Sequence, residues 1–346
     1  MMKSFSLLAA ATFSTSQLLA NCSCGCPMEA PPCKSFWIQP ENDIGLTTSA
    51  DFLYWQANLD GIEYGQIANF FANIAAPPVS SAPYYGSWLY PSFQFTPGTR
   101  VNIGFRPHKD RWQVDATWVY LSSNAHGSSH NPNVTGGAVV VPINDISQLL
   151  SNNGINAKAM WWADYNALDL DINRGVSFSD AFGIKAHLGL RSLWLDQKYN
   201  VYSINLYNTA PDVFTNANAH LTQNIWGMGP LIGLDSLWKL WGGFGLVGKA
   251  SLSLLWSHIH ALSKGYFGTN NALIRKELQT FHTTLPEVNM LIGCQYDTGM
   301  CGSYHFSGHI GWEFTTLFSA NYLENGYLNP GNFNMSGLTA GLGFDY

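Results

Sequence analysis

The sequence predicts an all-β protein: a transmembrane antiparallel β-barrel of ten to fourteen strands, with short periplasmic turns and long extracellular loops. Three observations predict it. The first is composition. Of 346 residues, 11% are charged, 14% aromatic and 46% hydrophobic. Soluble domains average about 25% charged, yet beyond the N-terminus no apolar run of about 18 residues marks a membrane helix. The second is alternation, because apolar and polar residues trade places along many segments, as in a barrel wall. The third is that these segments are joined alternately by short and long connections. The formal net charge of -6 lacks the basic balance that nucleic-acid binding needs.

Residues 1–20, MMKSFSLLAAATFSTSQLLA, open on Lys3 and continue apolar to Ala20, the pattern of a secretory signal peptide. LANC at 19–22 approaches a bacterial lipidation box, from which Asn21 departs. Residues 21–44 form a Cys/Pro-rich periplasmic segment carrying Cys22, Cys24, Cys26 and Cys33 among Pro27, Pro31, Pro32 and Pro40. They contain no CxxC pair for zinc, and an exported segment is oxidising, so disulfides are expected. Cysteines two apart bridge each other poorly, which points to partners on other chains. Cys294 and Cys301 either bridge across a turn or stay reduced.

The barrel is expected over 45–346. A first strand lies near 49–57. RVNIGFR (100–106) puts Val101, Ile103 and Phe105 on one face, and returns after HKDR as Trp112, Val114, Ala116, Trp118 and Tyr120. Leu168, Leu170 and Ile172 pair with Ile184, Ala186, Leu188 and Leu190. Trp226, Met228, Ile232 and Leu234 pair with Phe244, Leu246, Ala250, Leu252, Leu254 and Trp256. Val288, Met290 and Ile292 pair with Tyr304, Phe306, Ile310, Trp312 and Phe314. The chain ends in GLTAGLGFDY, whose Leu338, Ala340, Leu342, Phe344 and Tyr346 share a face. Ten segments are thus visible. Short connections fall near 107–111, 174–182, 239–242 and 298–302, and long ones near 58–97, 123–158, 198–222, 259–285 and 319–336. GAVVV (137–141) and QKYNVYS (197–203) are candidates for further strands.

Lipid must face the apolar set, since a cation there costs about 2–4 kcal/mol near the midplane. The opposite parity then lines a wet lumen: Arg100, Arg106, Asp115, Asp169, Asp171, Lys185, Arg191, Asp235, Lys249, His305, His309 and Glu313. Mixed signs predict weak ion selectivity or a transverse field. On this assignment Leu188→Arg impairs assembly and Gly189→Ser is tolerated. Trp55, Trp112, Trp194, Trp226 and Trp256 are expected in interfacial belts. No metal, cofactor or catalytic residue is expected. GMGPLIG (227–233) has the wrong spacing for a dinucleotide loop. His258 and His260 share a face without an evident third ligand and are expected at a loop entrance. His305, His309 and Glu313, with Ser303 and Ser307 nearby, read as lumen lining rather than a hydrolytic site.

ADFLYWQA, HLGLRSLWLDQKY, NIWGMGPLIGLDS and HIGWEF resemble the pore-forming, major-outer-membrane-protein-like family of Legionella and environmental chlamydiae, over about residues 49–346. The resemblance implies an exported outer-membrane porin, not an enzyme, passing small hydrophilic solutes and ions. The alternative is a structural or adhesive surface barrel without an open pore. The cysteine-rich start is similar to the disulfide-linked envelope habit of chlamydiae, implying cross-linked envelope partners or a homo-oligomer. By resemblance to such barrels generally, Phe344 and Tyr346 form the signal read by outer-membrane assembly machinery. No constriction motif matches, so no selectivity residue is carried over.

Overall fold

The computed structural model describes residues 45–69, 86–107, 112–130, 138–141, 156–207, 214–267, 272–299, 305–323 and 331–346, all within the unit Ser35–Tyr346. The expected signal peptide, the segment 21–44 with Cys22, Cys24, Cys26 and Cys33, and also Cys301, Ser303 and Tyr304, lie outside the described residues.

In chain order the strands are β1 (Gly45–Leu59), β2 (Gly65–Asn69), β3 (Gly86–Leu89), β4 (Ser92–Phe93), β5 (Phe95–Arg106), β6 (Trp112–His130), β7 (Ala138–Val141), β8 (Asn156–Ser177), β9 (Phe182–Tyr207), β10 (Phe214–Lys239), β11 (Phe244–Phe267), β12 (Ala272–Gly299), β13 (His305–Asn321) and β14 (Gly331–Asp345). Ten of them close one antiparallel cylinder, β1-β5-β6-β8-β9-β10-β11-β12-β13-β14 and back to β1. Closure removes both sheet edges, so the wall's backbone groups find partners without water. At the seam, Leu46 and Tyr346 exchange both backbone hydrogen bonds, at 2.8 and 2.9 Å. Of the further-strand candidates, 138–141 is β7, which joins β2 and β3 in a separate three-stranded sheet, and 197–203 lies inside β9.

The short connections lie at the same end as the barrel's two termini. In the β10–β11 turn, Gly242 and Gly243 take φ of 57° and 86°, which only glycine adopts freely. Two connections expected to be long are strand for most of their length, since β9 runs to Tyr207, β10 starts at Phe214, β11 runs to Phe267 and β12 starts at Ala272.

The reason is a change of polarity along the wall. β9 and β10 have 26 residues each and β12 has 28, more than twice the roughly 9–11 that cross a bilayer. Two belts of exposed aromatics bracket the membrane part. One holds Tyr54, Tyr120, Trp194, Trp226, Trp256 and Trp312, and the other Trp112, Trp238, Phe244, Tyr296, Phe344 and Tyr346. From Trp226 to Trp238 is about 40 Å along the strand, and about 30 Å along the barrel axis at a tilt of about 40°. This matches an outward apolar band of about 25 Å flanked by girdles. Between the belts the outward side chains are apolar, with Leu188 63% exposed and Leu190, Ile232, Leu234 and Leu252 alongside.

Beyond the first belt the polarity of the two faces reverses. Outward positions become Asp196, Lys198, Asn224, His260 and Thr280, while Leu195, Tyr199, Leu221, Ile225 and Ile259 turn inward and are buried. Lipid has ended there and water begins, so the apolar side chains leave the outer surface and form a core. Trp55, expected in a belt, points inward at 2% exposure and belongs to this core. The expected tolerance of Gly189→Ser is also overturned, because a Cβ at Gly189 would collide with the Leu170 carbonyl oxygen and the Asp171 backbone on β8.

These placements make a test. Leu188→Arg should cost about 2–4 kcal/mol, whereas Thr280→Arg, on the same outer surface beyond the belt, should change stability by less than about 0.5 kcal/mol. Urea unfolding of the folded barrel in lipid vesicles measures both.

Candidate functional site

The candidate site is the barrel interior, which has two layers. The membrane-spanning layer is polar and encloses a cavity of about 210 Å³. The layer beyond the first aromatic belt is an apolar plug.

Inward positions on each strand supply the polar layer. Ten of the twelve expected lumen residues line the one cavity: Arg100, Asp115, Asp169, Asp171, Lys185, Arg191, Asp235, Lys249, His309 and Glu313. His305 lies near the barrel mouth, with Nδ1 3.7 Å from Asp345 Oδ2. Arg106 ends β5 opposite Gly45. His187, which shares the polar parity of Lys185 and Arg191, lines it too, and the lining also contains Asp51, Glu287, Tyr165 and Asn289, which sequence reasoning missed. The signal was present, since Asp51 opposes Phe52 and Tyr54 in parity, and Glu287 opposes Val288 and Met290.

Three ion-pair clusters cross this interior. Arg100 Nη2 meets Glu313 Oε1 at 2.5 Å, and its Nη1 meets Asp51 Oδ2 at 3.2 Å. Glu313 also accepts from Asn289 Nδ2 at 2.6 Å and from Thr339 Oγ1 at 2.8 Å. Arg191 forms a two-pronged pair with Asp169 at 2.7 and 2.6 Å and reaches Glu287 at 3.0 Å. Tyr165 donates its hydroxyl to the same Glu287 oxygen at 2.8 Å. Lys185 Nζ lies 3.2 Å from Asp115 Oδ2, and Asp115 also accepts from Asn173 and Gln113, each at 2.6 Å. The cavity lining counts seven carboxylates against four Lys and Arg, a formal excess of three negative charges. Arg100 lies between acids on β1 and β13, Arg191 lies between acids on β8 and β12, and Lys185 reaches across to Asp115 on β6; the charged hydrogen bonds offset the desolvation that burial imposes. Glu313 is bound at both oxygens, so it serves as a structural counter-ion and not as a free base beside His309.

The plug is built from side chains on all sides of the barrel. Trp55, Trp161, Tyr199 and Phe333 are its largest members, each 0–2% exposed, with Leu53, Leu121, Leu193, Leu195 and Ile225 among them. Trp161 packs edge-on against Phe93 at 5.5 Å, and Tyr165 stacks on Phe333 at 6.2 Å. Two connections fold in over it. Tyr199 donates its hydroxyl to the Ile62 carbonyl at 2.8 Å. On β13, Ser319 takes φ 54° where the register slips between Leu317 and Asn321, and the chain turns in so that Tyr322 N donates to Gln223 Oε1 at 2.7 Å. Trp161 Nε1 likewise donates to Gln197 Oε1 at 3.2 Å, while Gln197 Nε2 is buried without a hydrogen-bond partner. The sequence did not suggest this layer, because Tyr199, Leu221, Ile259 and Phe333 fell in stretches read as loops and Trp55 was assigned to a belt.

Cys294 is a free thiol exposed on the outer face of β12. Phe344 and Tyr346 are exposed on the outer face at the short-turn end. Among the described residues no group of three or more His, Cys, Asp or Glu forms a metal site.

A closed cylinder with an apolar exterior between two aromatic belts, and ion pairs within, is an integral outer-membrane β-barrel. The chain matches the family described as Legionella pneumophila major outer membrane protein precursor over residues 38–346. It belongs to that family and to the outer membrane. No curated protein matches it. It is similar to outer membrane protease OmpT from Escherichia coli, at 12% identity over 87% of this chain and 96% of that one, with a TM-score of 0.41. A major outer membrane protein from Thermus thermophilus is 9% identical over 88% and 99%, with a TM-score of 0.33. A Pseudomonas aeruginosa FadL homologue is 10% identical over 88% and 90%, with a TM-score of 0.27. Likeness this remote says nothing of activity.

Arg191→Met should destabilise the barrel by about 3–5 kcal/mol, because it strands Asp169 and the fully buried Glu287 without their cation. Adding Asp169→Asn and Glu287→Gln should recover most of that loss, as read by urea unfolding in vesicles.

Proposed function

We propose that the protein is a structural surface barrel of the outer membrane whose lumen is closed to free diffusion. The plug is the observation that carries this reading. Four aromatic side chains at 0–2% exposure occupy the lumen beyond the belt, and about ten strands enclose little more than their own side chains. Each such residue contributes about 1.5–3 kcal/mol by burial, so opening this layer means unmaking a folded core. On this reading the barrel is a rigid mount that presents its outer connections at the surface and catalyses no reaction. An N-terminal signal peptide exports the chain, Phe344 and Tyr346 are the signal for assembly machinery, and the cysteines of 21–44 join envelope partners or further copies.

The second reading is the open porin that the sequence suggested, passing small hydrophilic solutes and ions. The charged cavity of about 210 Å³ favours it. The excess of carboxylates there would make such a pore prefer cations.

Folded protein added to a planar bilayer separates the two. The closed barrel gives no stepwise conductance, and Trp161→Ala with Tyr199→Ala and Phe333→Ala introduces steps. Stable steps from the unaltered protein would establish the porin instead.

A further inference from the structure

On the outer surface, β11 and β12 bring together two histidines that lie 24 residues apart in sequence. His258 and His282 are direct cross-strand partners. His258 Nδ1 and His282 Nε2 are hydrogen-bonded to each other at 3.1 Å, with ring centroids 4.7 Å apart, so a bound ion would take the place of the shared proton. Trp256 stacks on His282 at 5.0 Å and 11°, and Trp226 is the cross-strand partner of His258 on β10. The pair therefore sits at the first aromatic belt, where the lipid-facing band gives way to the polar outer wall.

We propose that His258 and His282 form a two-imidazole binding site for a first-row divalent transition metal such as Cu²⁺, Ni²⁺ or Zn²⁺. The spacing carries the proposal. Two nitrogens each about 2.0–2.1 Å from one ion stand about 3.3 Å apart at the tetrahedral angle and about 2.9 Å apart at a right angle. The observed 3.1 Å falls between these values. Both rings are accessible from outside, and a β-sheet wall fixes both Cα positions, so little ordering is needed on binding. Imidazole nitrogen suits these ions better than Ca²⁺ or Mg²⁺. Without a third clustered ligand among the described residues, the remaining positions are left to water. The ion is thus held reversibly and exchangeably, not as a structural centre. His260, the partner suggested by sequence spacing, instead faces Thr280 across the strands.

Trp256 provides the readout, because bound Cu²⁺ quenches a stacked indole. CuCl₂ titrated into the folded full-length barrel in detergent micelles should give a saturable loss of part of the tryptophan emission. His258→Asn and His282→Asn should each weaken the apparent affinity by about tenfold or more, and His260→Asn should leave it unchanged. Trp256→Phe should reduce the quenching to what the neighbouring Trp226 supplies, while Cu²⁺ electron paramagnetic resonance still reports two nitrogen ligands. Equal quenching in His282→Asn, or quenching without saturation, would overturn the assignment. Gel mobility of unheated samples keeps the comparison to folded protein.

Discussion

A β-strand offers two faces at a fixed period of two residues, and these strands must serve two solvents in turn. Inside the bilayer the outward face must be apolar and the inward face polar. Past the membrane the outward face meets water, so the same alternation is kept with its polarity exchanged. Nearly every feature of the barrel follows from where that exchange falls. It sets the position of the aromatic belt at Trp194, Trp226 and Trp256. It also explains why β9 to β12 continue as regular strands well beyond the lipid, and why the lumen holds ion pairs at one level and an apolar core at the next.

The seam between the layers is the most demanding place, since charges there lie directly beneath hydrocarbon side chains. Two residues span it. Trp55 belongs to the plug yet donates through Nε1 to Thr339 Oγ1 at 3.1 Å, and Thr339 in turn serves Glu313. Tyr165 packs on Phe333 but sends its hydroxyl down to Glu287. Arg100 lies 5.6 Å from the centroid of the Trp55 ring, a cation over an aromatic face. Glu313 and Glu287 therefore each have partners both across and above, which is how a charge survives at that depth.

How much of this was legible in the sequence depended on which layer a residue occupies. Within the membrane, parity alone placed Arg100, Lys185, Arg191 and Glu313 on one side and Leu188, Ile232 and Leu252 on the other. The ten barrel strands and the closing residues at the C-terminus followed from the same rule. Beyond the belt the rule misled, because its fixed sign no longer held. Tyr199, Leu221 and Ile259 have the parity of lumen residues and the chemistry of lipid-facing ones, so their segments read as loops. Trp55 was placed in a belt because nothing local distinguishes an interfacial tryptophan from a buried one. The His258–His282 contact depends on cross-strand register, which no spacing along the chain reveals.

The direct test is a cysteine scan along β10 in a background with all six native cysteines replaced by serine, covering positions 217 to 238 in intact outer membranes treated with a water-soluble thiol reagent. Outward positions should react on the loop side of Trp226 and fall silent from Met228 to Leu234, while positions 219, 221 and 225 stay unreactive throughout. Reaction at 219, 221 and 225 would mean that water fills the interior at that level, and both the exchange of faces and the plug would then be wrong.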